Sequence, residues 1–205
     1  MNNIFFESIC IKNKLPLHLE LHQERLDQTY RRFFNSNPNF QLKNLIDLYK
    51  ILDNDFWKCR IIYDRQIINI EYEKYQLKNP KKIKLIESPD FQYDAKYYDR
   101  SFFNSLLNEN KDYDEIIICK NDLLTDTTYS NLAFFDGRDW FTPKQYLLNG
   151  VKRKYLLQQR IIHETDISIN NLQFFQKISF LNAMRGLSVS YEFEFSRKDH
   201  SILIQ

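Results

Sequence analysis

The sequence predicts an α+β protein made of two α/β halves, and three observations predict it. A period-two run opens the chain and gives way to a long helical period. Two adjacent strand-like runs follow, and after a proline-bearing break near residue 90 the same order of helix and strands restarts. The expected organisation is an N-terminal α/β domain over 1–88, a linker over 89–95 and a C-terminal α/β domain over 96–205.

Residues 3–12 alternate apolar and polar side chains, as in a strand with one buried face. KNKL turns the chain, and from residue 17 onward Leu19, Leu26 and Phe33 or Phe34 mark the buried stripe of a helix. NSNPN stops that helix, because proline lacks an N–H and disfavours helical backbone just before it. A second helix is expected over 41–52 (QLKNLIDLYKIL), then strands at 56–64 and 66–75 joined by a short polar turn. Beyond the break come a helix at 101–110, a strand at 114–120, the turn NDLL and a strand at 127–135. The turn DGRDW and a helix from Val151 follow.

With 205 residues, 43% of them hydrophobic, the chain has enough apolar material for a proper core. Its 29 basic and 27 acidic residues leave a net charge of +2, which builds no field for nucleic acid or an anionic membrane. The basic runs NPKKIKL and VKRK are short enough to be solvated turns or helix faces. No stretch approaches 18 uncharged apolar residues and no basic leader opens the chain, so a soluble cytoplasmic protein is expected. Cys10, Cys59 and Cys119 are odd in number and lack C-x-x-C spacing, which argues against disulfides and thiolate metal sites. His18 and His22 share a helix face but no third ligand is placed beside them, so no metal is expected.

Glycine is the scarcest signal. Three occur, against about 7% in an average chain, and no two are closer than 13 residues. That spacing excludes G-x-G-x-x-G and Walker A phosphate loops. Gly137 belongs to an Asp-Gly hairpin turn that wants positive φ. Gly150, just before the helical run VKRKYLLQQRII, either lets backbone N–H groups of a helix start close on an anion or simply ends the preceding turn. Gly186 in LNAMRGLSV poses the same choice.

Taken in order, FFESICIKNKLPLHLELHQERLDQT, AKYYDR, TDTTYSNLAFFDGRDWFTP, LLNGVKR and LNAMRG resemble the class IV aminotransferase family, the fold-type IV pyridoxal-phosphate enzymes. That family includes branched-chain and D-amino acid aminotransferases and 4-amino-4-deoxychorismate lyases. The resemblance runs from about Phe5 to about Val189 and implies two α/β domains with pyridoxal phosphate at their interface, in a homodimer acting on a small amino substrate.

Such a cofactor needs a lysine to hold its aldehyde covalently, an acid against its ring nitrogen and donors for its phosphate. The resemblance assigns the first role to Lys96, and the ring nitrogen to Asp126, five residues before Asn131, where the family usually has Glu. It assigns the phosphate to Arg25 of HQERL and to Gly150, Val151 and Lys152, with Asn182 and Ala183 in the other phosphate and carboxylate loop. A threonine is common in the family where Lys152 stands. Tyr97 and Arg100 are expected near the substrate.

The short N-terminus omits the aromatic, glycine-containing stretch that usually precedes FES and shapes the pocket. Compact length and the NAMRG loop resemble the lyase group, so the expected reaction is release of pyruvate and 4-aminobenzoate from 4-amino-4-deoxychorismate on the route to folate. The alternatives are a branched-chain or D-amino acid aminotransferase, and a cofactor-binding protein without turnover.

Overall fold

The structure, a computed structural model, describes residues 3–205. The chain divides into two units: the residues up to Leu77 with Ala95–Asp99, and Lys78–Asp94 with Arg100–Gln205.

In the first unit β1 (Phe5–Lys12) turns into β2 (Leu15–Pro16) through Asn13 and Lys14, both left-handed, the geometry of a type I′ hairpin. α1 (Leu19–Phe34) runs from left-handed His18 to left-handed Asn35 and buries Leu26 and Tyr30. The helix expected over 41–52 is corrected: α2 (Leu42–Leu45) is a single turn, followed by a separate 3₁₀ turn at Leu48–Lys50. Asp47 explains the interruption, since its carboxylate accepts the Tyr49 N–H and its own N–H goes to the Tyr72 hydroxyl. Local side chains thus take backbone groups that a helix would need. β3 (Trp57–Tyr63) and β4 (Ile67–Lys74) complete an antiparallel sheet ordered β2-β1-β3-β4. Its core is aromatic: Tyr30 stacks on Tyr63, and Phe33 and Phe34 both meet Phe5. Segment 95–99 joins this unit through β1, as the Phe6 N–H donates to the Lys96 carbonyl and Phe5 bridges to Tyr97.

The second unit contains β5 (Lys82–Glu87), α3 (Ser101–Glu109), β6 (Glu115–Lys120), β7 (Leu123–Thr127), β8 (Asn131–Phe135) and β9 (Trp140–Pro143). α4 (Val151–Gln158), β10 (His163–Thr165), β11 (Lys177–Leu181), β12 (Ser190–Ser196) and β13 (Ser201–Ile204) follow. The sheet order is β10-β9-β8-β11-β12-β13-β5-β6-β7, and β7 pairs back onto β8 at Asp126 and Asn131. One residue pair therefore closes a ring of strands around Ile83, Leu85, Ile117, Leu132, Phe134 and Phe180. α3 is the crossover between parallel β5 and β6, as such a pair requires.

The strand expected over 127–135 is also corrected. It is split at Thr128–Ser130, because Thr127 Oγ1 accepts the N–H groups of Tyr129 and Ser130 and closes a turn. Gly137 has the anticipated positive φ, 103°. The units also divide differently from the expected domains. β5 lies between β13 and β6, so the chain has left the first unit by Lys78, and Lys96 lies on the segment attached to β1.

Candidate active site

The first unit gathers Glu7, His22, Arg25 and Lys96. Glu7 points inward from β1 and is fully buried. Arg25 grips it with two hydrogen bonds, Nε to Oε1 at 2.8 Å and Nη2 to Oε2 at 2.6 Å, and His22 Nδ1 lies 2.5 Å from Oε2. Positions 22 and 25 are one helical turn apart on α1, which is why both reach one strand residue. Burial alone would raise the Glu7 pKa, but the Arg25 charge and the bonds from His22 and Arg25 outweigh it and hold it at about 2. Burial depresses the His22 pKa, and the cations Arg25 and Lys96 push the same way against the pull of Glu7. A neutral imidazole follows, donating from Nδ1, with Nε2 buried and unpartnered among the described residues. The Lys96 ammonium sits 4.4 Å from the Phe6 ring centroid. Tyr97 packs its ring on Phe5 and Phe33, in the aromatic core.

The second unit gathers Asp126, Asn131, Gly150–Lys152 and Asn182–Gly186. Asp126 Oδ1 accepts from Asn131 Nδ2 at 2.7 Å, and Oδ2 accepts the N–H groups of Leu147 and Leu148, both at 2.9 Å. Burial raises the Asp126 pKa to about 6 despite these donors and the nearby Arg153. The carboxylate is therefore mostly ionised at neutral pH. Ser130, beside Asn131, accepts from Asn182 Nδ2 at 2.9 Å. The Asn182 Oδ1 accepts the Met184 N–H, and its backbone exchanges bonds with Arg185, forming a tight turn that carries Ala183. Lys152 runs its methylenes past Gly186, whose added Cβ would meet them at an ordinary 3.7 Å.

Gly150 has a reason different from the two weighed in the sequence. Its φ is −70°, open to any residue, but a Cβ there would lie 1.9 Å from Asn131 Oδ1. The position is glycine because the Asn131 carboxamide occupies the space. As N-cap of α4 it brings no side-chain acceptor, so the first N–H groups of α4, those of Val151 and Lys152, are not capped by it.

Arg100 is sandwiched between the rings of Phe103 and Tyr129, at 4.4 and 4.3 Å, and donates to the Thr128 carbonyl. It clamps the 128–130 turn beside Asn131. Glu115, whose pKa burial raises, accepts the Thr128 hydroxyl in the same cluster. Sequence reasoning missed Glu7, although a signal existed: it shares strand parity with Phe5, Ile9 and Ile11, so a charge at that position must be buried. It also missed Arg153, which is buried and ties α4 to the Pro143 carbonyl and to Glu164.

Residues 4–190 match the model of the amino-transferase class IV family. The chain belongs to that family. As a class IV aminotransferase-family enzyme it is 36% identical over 184 residues to an uncharacterised protein of Haemophilus influenzae, covering 89% of this chain and 98% of that one. A structure from Haemophilus somnus, provisionally named a 4-amino-4-deoxychorismate lyase, matches with a TM-score of 0.84 at 28% identity, over 91% of this chain and 99% of that one. A hypothetical aminotransferase of Mycobacterium tuberculosis in its PLP-bound form shares the fold, with a TM-score of 0.76 at 15% identity over 89% of this chain and 78% of that one. Among the described residues no His, Cys, Asp and Glu side chains group to hold a metal ion, and no helix is long and apolar enough to cross a membrane.

Proposed function

We propose that this class IV enzyme is a pyridoxal-phosphate-dependent 4-amino-4-deoxychorismate lyase that releases pyruvate and 4-aminobenzoate in folate biosynthesis. The observation that carries this reading is the match to the Haemophilus somnus protein, which this chain spans over 99% of its length at a TM-score of 0.84. Each unit carries residues suited to the cofactor: the first an amine at Lys96, the second a buried carboxylate at Asp126 and the N–H groups at the start of α4, whose N-cap glycine brings no side-chain acceptor.

Lys96 would hold the cofactor covalently, and its amine would take the substrate's α-proton. In the second unit the Val151 and Lys152 N–H groups and the Asn182–Ala183 turn would hold the phosphate, and in the first unit Arg25 is the residue that the resemblance gives to it. An arginine suits this because it presents several donors, so one carboxylate and one phosphate can share it. Glu7 and His22 keep Arg25 in place and keep water away from its inner edge. Asp126, ionised above about pH 6, would hold the proton on the ring nitrogen. When bound, pyridoxal phosphate supplies the sink for the electron pair left at the substrate α-carbon. Loss of pyruvate leaves an aromatic product, which favours elimination.

The test supplies purified protein with pyridoxal phosphate and 4-amino-4-deoxychorismate. The expected outcome is 4-aminobenzoate formed without an amino acceptor and abolished in Lys96→Ala. Turnover that requires 2-oxoglutarate would instead establish a transaminase. Cofactor fixed to Lys96 by borohydride without either activity would leave a binding protein. The assembly expected with this reading is a homodimer, measurable by sedimentation.

A further inference from the structure

We propose that Asn131 and Gly150 act as one unit to position the Asp126 carboxylate. This rests on the reading of Asp126 as the partner of the cofactor ring nitrogen. Asn131 opens β8 at the single pair that closes the ring of strands, so its backbone is fixed opposite Asp126 itself. Its Nδ2 spends both protons, one on Asp126 Oδ1 and one on the Leu148 carbonyl at 2.8 Å. Its Oδ1 then points at Gly150, into the volume that a Cβ would fill.

The orientation of the carboxamide therefore depends on the missing side chain at 150. The carboxylate depends on it in turn: β8 holds one oxygen through Asn131 and the 147–148 amides hold the other. With both oxygens tied from two directions the carboxyl plane cannot rotate, and its remaining lone pair, on Oδ1, has a fixed aim. Arg153 is the charged group that acts on Asp126 from α4.

Three variants test this: Asn131→Ala, Gly150→Ala and the double substitution. Two readouts apply, pyridoxal phosphate affinity by absorbance and titration of the Asp126 carboxyl carbon by NMR in the cofactor-free protein. Each single substitution is expected to weaken cofactor binding about tenfold, while adding Gly150→Ala to Asn131→Ala changes it by less than about twofold, because the clash has gone. In Asn131→Ala the Asp126 titration moves to higher pH, since a donor to the ionised form is lost. A purely structural role would lower the melting temperature without that shift.

If Gly150→Ala does not fold, recovery of a folded protein in the double variant supports the proposal, and failure to recover overturns it. Independent, multiplying effects of the two substitutions, or an unmoved titration, would also overturn it. Wild-type protein that binds no pyridoxal phosphate would remove the functional reading beneath it. Wild-type binding with independent effects sinks this inference alone.

Discussion

Glu7 shows how much one buried charge decides. Its carboxylate is ionised because Arg25 and His22 converge on it, and the Arg25 side chain is itself 14% exposed, so both partners sit largely out of water. Replacing Glu7 with Gln keeps the shape but leaves the guanidinium without its counter-charge, and breaking such a buried pair costs about 3–5 kcal/mol. Urea denaturation at pH 7 is expected to show a loss of that size for Glu7→Gln. A loss below about 1 kcal/mol, the worth of an exposed ion pair, would mean that solvent reaches the site. The pair was partly legible: the family resemblance pointed to Arg25 of HQERL, and Glu7, which was missed, shares strand parity with Phe5, Ile9 and Ile11. Gly150 was not legible, because its cause is an asparagine 19 positions earlier. Spacing records proximity along a helix or strand, and that contact arises from strand pairing.

At the scale of elements, the scarcity of glycine has an unexpected outcome. The left-handed positions are held by Asn13, Lys14, His18, Asn35, Asn121, Asp122, Arg160 and His200, while Gly137 is the glycine with positive φ. Asparagine and aspartate tolerate that region, whereas lysine does so at a cost of about 1 kcal/mol. Lys14, exposed in the β1–β2 turn, makes an Asn-Lys pair where Asn-Gly is the preferred type I′ sequence. Lys14→Gly is expected to raise stability by about 0.5 kcal/mol, the relieved strain being partly offset by the freer unfolded chain. Denaturant midpoints would check the sign. The same physics sets what the sequence disclosed. α1, α3 and the strands β1, β3, β4 and β6 carry their own period and were readable. The 41–52 and 127–135 segments were misread because Asp47 and Thr127 redirect backbone hydrogen bonds locally. β10 to β13 went unread, since short strands such as β13, held between β12 and β5, owe their existence to partners far along the chain.

For the whole molecule, the titrating groups divide by unit and oppose one another. In the first unit the pKa values of Glu7 and His22 are depressed. Their stabilisation is present above the ordinary values of 4.5 and 6.5 and is lost as the pH falls, through His22 first and then as Glu7 approaches about 2. In the second unit Asp126 and Glu115 are raised, so their contribution is complete below the ordinary carboxylate values and is lost as pH rises, for Asp126 through about 6. Asp136, held low by turn N–H groups, opposes that trend but is exposed and counts for less. Acidification from pH 7 to pH 4 therefore weakens the first unit while it strengthens the second. Hydrogen exchange, corrected for its intrinsic pH dependence, should show amides of β1 and β3 losing protection over that range before those of β6 and β8. Introducing Asp126→Asn should reduce the pH dependence of the second unit between 4 and 6 to the part that Glu115 and Asp136 contribute, and leave that of the first unchanged, because the substituted group belongs to one network and not the other. Equal loss of protection in both units over that range would overturn this division of the titrating groups between them.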